Sequence, residues 1–360
     1  MKARKRIIFD GHNDTVMNLY YPERGGGRSF FEQSDKGHID LPRARAGGFG
    51  GGMFAVFVTN EDWLKGPPKE DVTLTDNGYD VKLAAPVDFD TARETTEKLT
   101  TSLFSLIDQS QGQMQLTRST DEIRECFANS VLSVVLHFEG AEMVASDLTN
   151  LQQYYDRGLR SLGICWSRPN AFGCGVPFRY PSSPDVGPGL TDAGRELVRE
   201  CNRLGIMLDL AHLNEKGFWN VAAITSAPLI VSHSAAHALC GSARNLTDKQ
   251  LDAIGESDGI VGVSFFKNDL RGDGELDPDT PMDAIVHQIT YIADRIGVDH
   301  VAFGSDFDGA PIPKELGDVA GMPKLVAALG RTGFDEPSVT KLCRENWLRV
   351  LAHTWHENES

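Results

Sequence analysis

The sequence predicts an α/β fold, a (β/α)8 TIM barrel with long loops over one face, and three observations carry that prediction. Eight apolar runs of strand length recur along the 360 residues, most of them separated by segments with helical spacing. Six residues able to hold a metal or move a proton (His12, Asp14, Glu139, His212, His233 and Asp306) close five of those runs, and a parallel barrel gathers all such ends on one face. The length suits one large barrel, so residues 1–360 are read as a single domain with insertions.

The first run, 7–9, leads into Asp10-Gly11-His12-Asn13-Asp14. A strand's period of two puts His12 and Asp14 on one side, where both can reach one ion. A loop rich in glycine and charge follows over 20–52, holding His38-Ile39-Asp40-Leu41-Pro42 and Gly47-Gly48-Phe49-Gly50-Gly51-Gly52 before a second strand at 53–58. Gly66-Pro67-Pro68 and Asp76-Asn77-Gly78 break the stretch from 59 to 87. Helical spacing resumes at Asp88, with Phe89, Ala92, Leu99, Leu103, Leu106 and Ile107. The third strand, 131–140, reaches Glu139 near its end.

A short helix at 147–156 precedes the fourth run, 159–166, which ends on Trp166 and opens into a segment crowded with Pro and Gly, 170–189. A helix from Thr191 stops at Gly205, a residue suited to a left-handed cap. Strand five, 206–212, ends on His212; after a helix at 219–225, strand six, 229–233, ends on His233. Thr247 and Gln250 form a capping-box pattern, flanked by Leu246 and Leu251 as a hydrophobic staple, before strand seven at 259–266. Thr280-Pro281-Met282-Asp283 predicts a helix start with Pro at the first position, leading to strand eight at 300–306, which ends on Asp306. A helix over 337–353 closes the chain. The three longest irregular segments follow strands one, two and four, so they should overhang the ligand face and build the pocket.

Composition narrows the class further. The chain has 51 acidic against 35 basic residues, a formal charge of −16, which disfavours nucleic acid or an anionic membrane surface as partner. Its six cysteines include no C-x-x-C pair, as expected of reduced thiols in a cytoplasmic protein. The basic start, 2–6, is followed by too short an apolar run for a signal peptide, and no apolar stretch is long enough to span a membrane. Imidazole and carboxylate are ordinary ligands for zinc and its neighbours. Buried core histidines would instead be spread along the strands. For His137, Asp10 and Asp209 two readings stay open, a core role or the orientation of a ligand, and Asp308 fits the shaping of a turn.

In order and spacing these segments resemble the renal (membrane) dipeptidase family, zinc peptidases of the amidohydrolase-like barrels. The likeness covers nearly the whole chain. It rests on Asp10 to Asp14, the 38–52 run, Glu139-Gly140, Asp209-Leu210-Ala211-His212, Ser232-His233-Ser234 with Arg244-Asn245, and Gly304-Ser305-Asp306-Phe307-Asp308-Gly309. The resemblance implies a dipeptidase with two zinc ions, His12 and Asp14 holding one, His212 and His233 the other, and Glu139 bridging. It further implies that Asp306 is the acid/base carboxylate serving a metal-bridging hydroxide, and that Arg244 receives the carboxylate of a small dipeptide substrate, L,D-dipeptides included. A homodimer stays open. The chain departs at Trp166, where the kidney enzyme has a histidine near the scissile carbonyl, and at Glu345, where glycine is usual.

Two rival readings follow from other chemistry on the same scaffold. A hydrolase of cyclic amides or lactams often bridges its metals with a modified lysine after strand four, and no lysine lies between Leu159 and Asn170. A non-catalytic binding protein would have lost a ligand or Asp306, and none is lost.

Overall fold

The computed structural model describes residues 6–275 and 279–357, and its centre is a nearly closed barrel of eight parallel strands. They are β1 (Ile8–Asn13), β2 (Phe49–Phe57), β3 (Leu132–Glu139), β4 (Leu159–Gly163), β5 (Met207–Asp209), β6 (Ile230–Ser234), β7 (Ile260–Val263) and β8 (Val301–Phe303), paired in chain order. A ninth short strand, Met114–Leu116, pairs with β3. The seam between β8 and β1 closes just past the strand ends, where Asp306 N donates to His12 O at 3.1 Å and Asp14 N to Phe307 O at 2.8 Å.

The barrel interior is filled by inward residues from most strands, Phe9, Met53, Val135, Met207, Ile230, Ile260 and Ala302, packed on Trp347 of the last helix. Trp347 is wholly buried and donates its indole N–H to Phe303 O at 2.9 Å, so this plug is pinned as well as packed. A second, larger core lies between the strands and the outer helices.

Several expected boundaries move, each for a physical reason. β2 begins at Phe49 because its glycines belong to the strand: Gly52 pairs with Asp10, and a Cβ there would stand 2.7 Å from Asp10 O. The Asp76-Asn77-Gly78 turn joins Val72–Thr75 to Gly78–Val81, a hairpin that takes Arg179–Tyr180 as a third strand. The 283–296 helix starts on Asp283 with Met282 at its cap, so Pro281 stands outside it. The last helix runs from Glu336 to Thr354 through a π turn, Lys341–Glu345. Glu345 closes that turn, and its carboxylate takes Arg124 at 3.2 Å and Arg344 at 2.9 Å, which gives the residue a surface ionic role. The capping box forms as expected on Asp248–Glu256. Helices also stand at Thr15–Tyr20, Thr120–Asn129 and Met322–Arg331, and Leu41–Gly47, inside the segment expected as loop, is a helix because Asp40 caps it by accepting Arg43 N.

Candidate active site

All six polar residues at the strand ends converge on one face. His12 Nε2 lies 3.3 Å from Asp14 Oδ2 and 3.8 Å from Glu139 Oε2. On the other side of the same carboxylate, Glu139 Oε1 lies 3.1 Å from His212 Nε2 and 3.7 Å from His233 Nε2. The two imidazole nitrogens are 3.0 Å apart, close to the separation of about 3.3 Å that two nitrogens take on one tetrahedral zinc. The five residues are at most 5% exposed. Asp306 keeps some exposure, toward the cavity in front, and one of its oxygens groups with His12 and Asp14.

Local backbone geometry explains how the ends are aimed. β5 stops at Asp209, and His212 turns back toward the site only because it takes φ 64°, a conformation a non-glycine residue adopts at a cost. Asp306 and Asp308 are likewise left-handed, at φ 58° and 68°. Asp308 is clamped from three sides, by His38 N, by Thr15 Oγ1 at 2.9 Å and by Arg28 at 3.7 Å, while its own N–H donates to His38 Nδ1 at 2.8 Å. The 38–42 motif therefore fastens the loop that carries Asp306. Two Asp–Ser ties hold neighbouring strand ends together. Asp10 accepts Ser305 N at 2.8 Å and Oγ at 2.7 Å, and Asp209 accepts Ser232 N at 2.7 Å and Oγ at 2.5 Å.

Charge in the site follows from burial. The His212 and His233 rings are held well below the usual histidine range, first by burial and then by nearby positive charge, so they are neutral with lone pairs to offer. Burial also works against charge on His12, but Glu139, Asp14 and Asp306 outweigh it and push the ring up to about 10. Burial pushes Glu139 well above the carboxylate range, and Asp306 up to about 7 against the pull of His12. Three carboxylates crowded into so dry a place favour positive charge at their centre. Asp14 Oδ1 and His12 Nδ1 are buried without a hydrogen-bond partner among the described residues. The donor set, the spacing and the charge together fit divalent metal held by imidazole and carboxylate.

A cavity of about 690 Å³ opens in front, lined by Asp14, Glu139, His212, Arg244 and Asp306 on one side and by Phe57, Trp63, Tyr79, Trp166 and Phe178 on the other. A match to the family model "Membrane dipeptidase (Peptidase family M19)" runs over residues 3–359. The chain belongs to the membrane dipeptidase family. It is a metallo-dipeptidase by class, and the barrel is the family's fold. A metallo peptidase from Rhodobacter sphaeroides, solved with a phosphinate mimic of the dipeptide L-Ala-D-Ala, is 42% identical, with TM-score 0.92 over 98% of this chain and 100% of that one. An uncharacterized protein encoded in the pqqA 5' region of Klebsiella pneumoniae is 47% identical over 255 residues, 71% of this chain and 94% of that protein. Dipeptidase tcpJ of Claviceps purpurea is 28% identical over 345 residues, 95% of this chain and 76% of the relative.

Against this dipeptidase frame, the structure places Arg244 inside the cavity at 5% exposure, its Nη2 3.3 Å from His233 O, and Asp248 pairs with Arg295 instead. Trp166 lines the cavity and rests on Phe57, Trp63 and Phe178 at ring separations of 4.9, 5.3 and 5.7 Å, with His212 at 5.8 Å. Three residues at the site, Arg168, Glu142 and Tyr79, carried no motif. Arg168, wholly buried, joins the ends of three strands through Glu142 at 2.7 Å, Asn60 at 3.0 Å and Val58 O at 2.5 Å, and its guanidinium lies 5.5 Å over Trp166. Its partner Glu142 sits three residues beyond Glu139. Gly309, which closes the 304–309 motif, borders both Asp14 and Asp306, and Tyr79 lines the same cavity as Arg244. An arginine set among apolar and small residues after strand four was the available signal for Arg168.

Proposed function

We propose that the chain hydrolyses the peptide bond of dipeptides with two zinc ions, one at His12 and Asp14, one at His212 and His233, and Glu139 between them. The observation that carries this reading is the split of Glu139, which turns Oε2 to His12 and Oε1 to the pair His212 and His233. Bound zinc would supply an activated water and polarise the scissile carbonyl.

The chain's own groups account for the rest. Asp306, raised toward neutrality by burial, is suited to take a proton from the attacking water and hand it to the leaving amine. Arg244 presents a buried cationic fork for the free carboxylate of the substrate, so the pocket would measure a dipeptide by its end. Trp166 gives an apolar wall and an indole N–H in place of a basic imidazole, so side chains that pack on an aromatic face should be preferred. The dipeptide mimic bound by the Rhodobacter relative supports acceptance of a D-residue at the second position. Six free, buried cysteines agree with a cytoplasmic setting.

Elemental analysis of the purified protein, coupled to a panel of L,L- and L,D-dipeptides, tests this. The expected result is two zinc-sized ions per chain and turnover of both series. One ion after zinc reconstitution, or no dipeptide turnover with two, would refute it.

A further inference from the structure

A ligand imidazole stays fixed on an ion only if its far nitrogen is held. For two of the three histidines the holder is a serine: His212 Nδ1 lies 2.8 Å from Ser167 Oγ, and His233 Nδ1 lies 2.8 Å from Ser232 Oγ. Ser232 Oγ donates to Asp209 Oδ2, which leaves it to accept the N–H of His233. His12 is held differently. Its Nε2 faces Asp14 and Glu139, and its buried Nδ1 finds no partner among the described residues. His137 stands across from it, fully buried and edge-on at 5.4 Å between ring centres, with Nε2 also without a hydrogen bond among the described residues. Ser161 Oγ fixes His137 from behind at 2.7 Å, and His137 Nε2 lies 3.7 Å from Asp209 Oδ2. One ring nitrogen of each histidine and one Asp209 oxygen fall within 4.8 Å of one another.

We propose that His137 and Asp209 form the seat of His12: together they take up its Nδ1–H and so keep Nε2 directed at Asp14 and Glu139. Two hydrogen bonds of about 2.8 Å meeting at one water span roughly 4.6 Å, so a group of atoms within 4.8 Å of one another suits a bond relayed by one water with three polar partners. Asp209 then serves both half-sites, His233 through Ser232 and His12 alongside His137, so the two metal positions share one anchor. This inference rests on the two-ion reading above. His137 is a positioning residue, since it acts on the metal through His12.

The test uses metal release. Zinc-loaded wild type, His137→Phe, His137→Gln, Asp209→Asn and Asp14→Asn are titrated with a chelator, ions retained are counted by elemental analysis, and cobalt-substituted protein gives the visible spectrum of the site. Wild type should release its ions in two steps, with Asp14→Asn marking the step that belongs to His12. His137→Phe keeps a buried ring without a nitrogen and should shift that step alone, by about 10–100-fold in affinity. His137→Gln, which restores an acceptor, should recover most of the shift, and Asp209→Asn should move both steps. Two unshifted steps in His137→Phe would overturn this inference and leave the two-ion reading standing. Equal loss in Phe and Gln, tracking a lower melting temperature of the metal-free protein, would overturn it in favour of a core histidine. A single step and one ion in wild type would bring down both.

Discussion

Gly309→Ala is the smallest change that should stop the enzyme. A Cβ built on Gly309 meets Asp14 Oδ2 and Asp306 Oδ1 far inside van der Waals contact. The backbone there lies outside the left-handed region, so alanine's own conformation is allowed and the cost comes from the contact. The whole penalty therefore falls on the two carboxylates. Restoring ordinary contact requires a displacement on the order of 1 Å, and a misplacement of that size at reacting groups costs roughly 100-fold in rate. Dipeptide kinetics, elemental analysis and a thermal melt on the one variant decide the matter. We expect a fall in kcat/KM of that order in a protein that remains folded at the assay temperature. A variant that turns over dipeptides within about threefold of wild type, less than 1 kcal/mol of barrier, would show that Asp14 and Asp306 need no tight placement.

Four further outcomes follow from the same geometry. Asp306→Asn should lower kcat by roughly 10²–10⁴ with metal retained, the range for a lost general acid/base, and near-normal kcat with full metal would remove Asp306 from proton transfer. Glu139→Gln should weaken both ions together, because both half-sites face its carboxylate; elemental analysis showing one ion held as in wild type would deny the bridge. Arg244→Ala should raise KM for free dipeptides by about 10-fold or more, the loss of a charge-assisted hydrogen bond, and change little for a C-terminally amidated substrate. Trp166→Ala and Trp166→His, assayed on small and bulky dipeptides, should reorder the substrates, whereas a uniform loss that follows a lowered Tm would make Trp166 a packing residue only.

The sequence revealed the strand-end residues because a parallel barrel turns position along the chain into position in space. His12, Glu139 and His233 needed only the assignment of their strands, whereas Asp306, like His212, reaches the site from a left-handed residue three past its strand. The bends were harder to read. His212 reaches the site by a left-handed turn three residues past its strand, and nothing in Asp209-Leu210-Ala211-His212 announces that φ without a resemblance to lean on. The glycines of β2 read as loop because their pairing depends on Asp10 from a strand forty residues earlier. The helix Thr120–Asn129 does carry a local start, Ser119 capping Glu122 N, but its polar residues hide the apolar stripe. For Arg168 the apolar and small neighbours hint at burial, but its role depends on Glu142, Asn60 and Val58, partners from other strands.

The small three-stranded sheet beside the cavity has a consequence for how this site can change. Its edge residue Arg179 accepts Ala243 N at 3.0 Å through its backbone oxygen, and the same strand pairs Tyr180 with Tyr79, so chain segments that follow β2 and β4 dock together on the residues just before Arg244. The wall that would sort side chains and the arm that would grip the carboxylate are thus one mechanical piece. Loop grafting from a relative, the ordinary route to new specificity on a barrel, would leave an unpaired edge here if one segment moved alone. Diversification of this active site, in nature or in the laboratory, has to proceed by exchange of all three segments as a cassette.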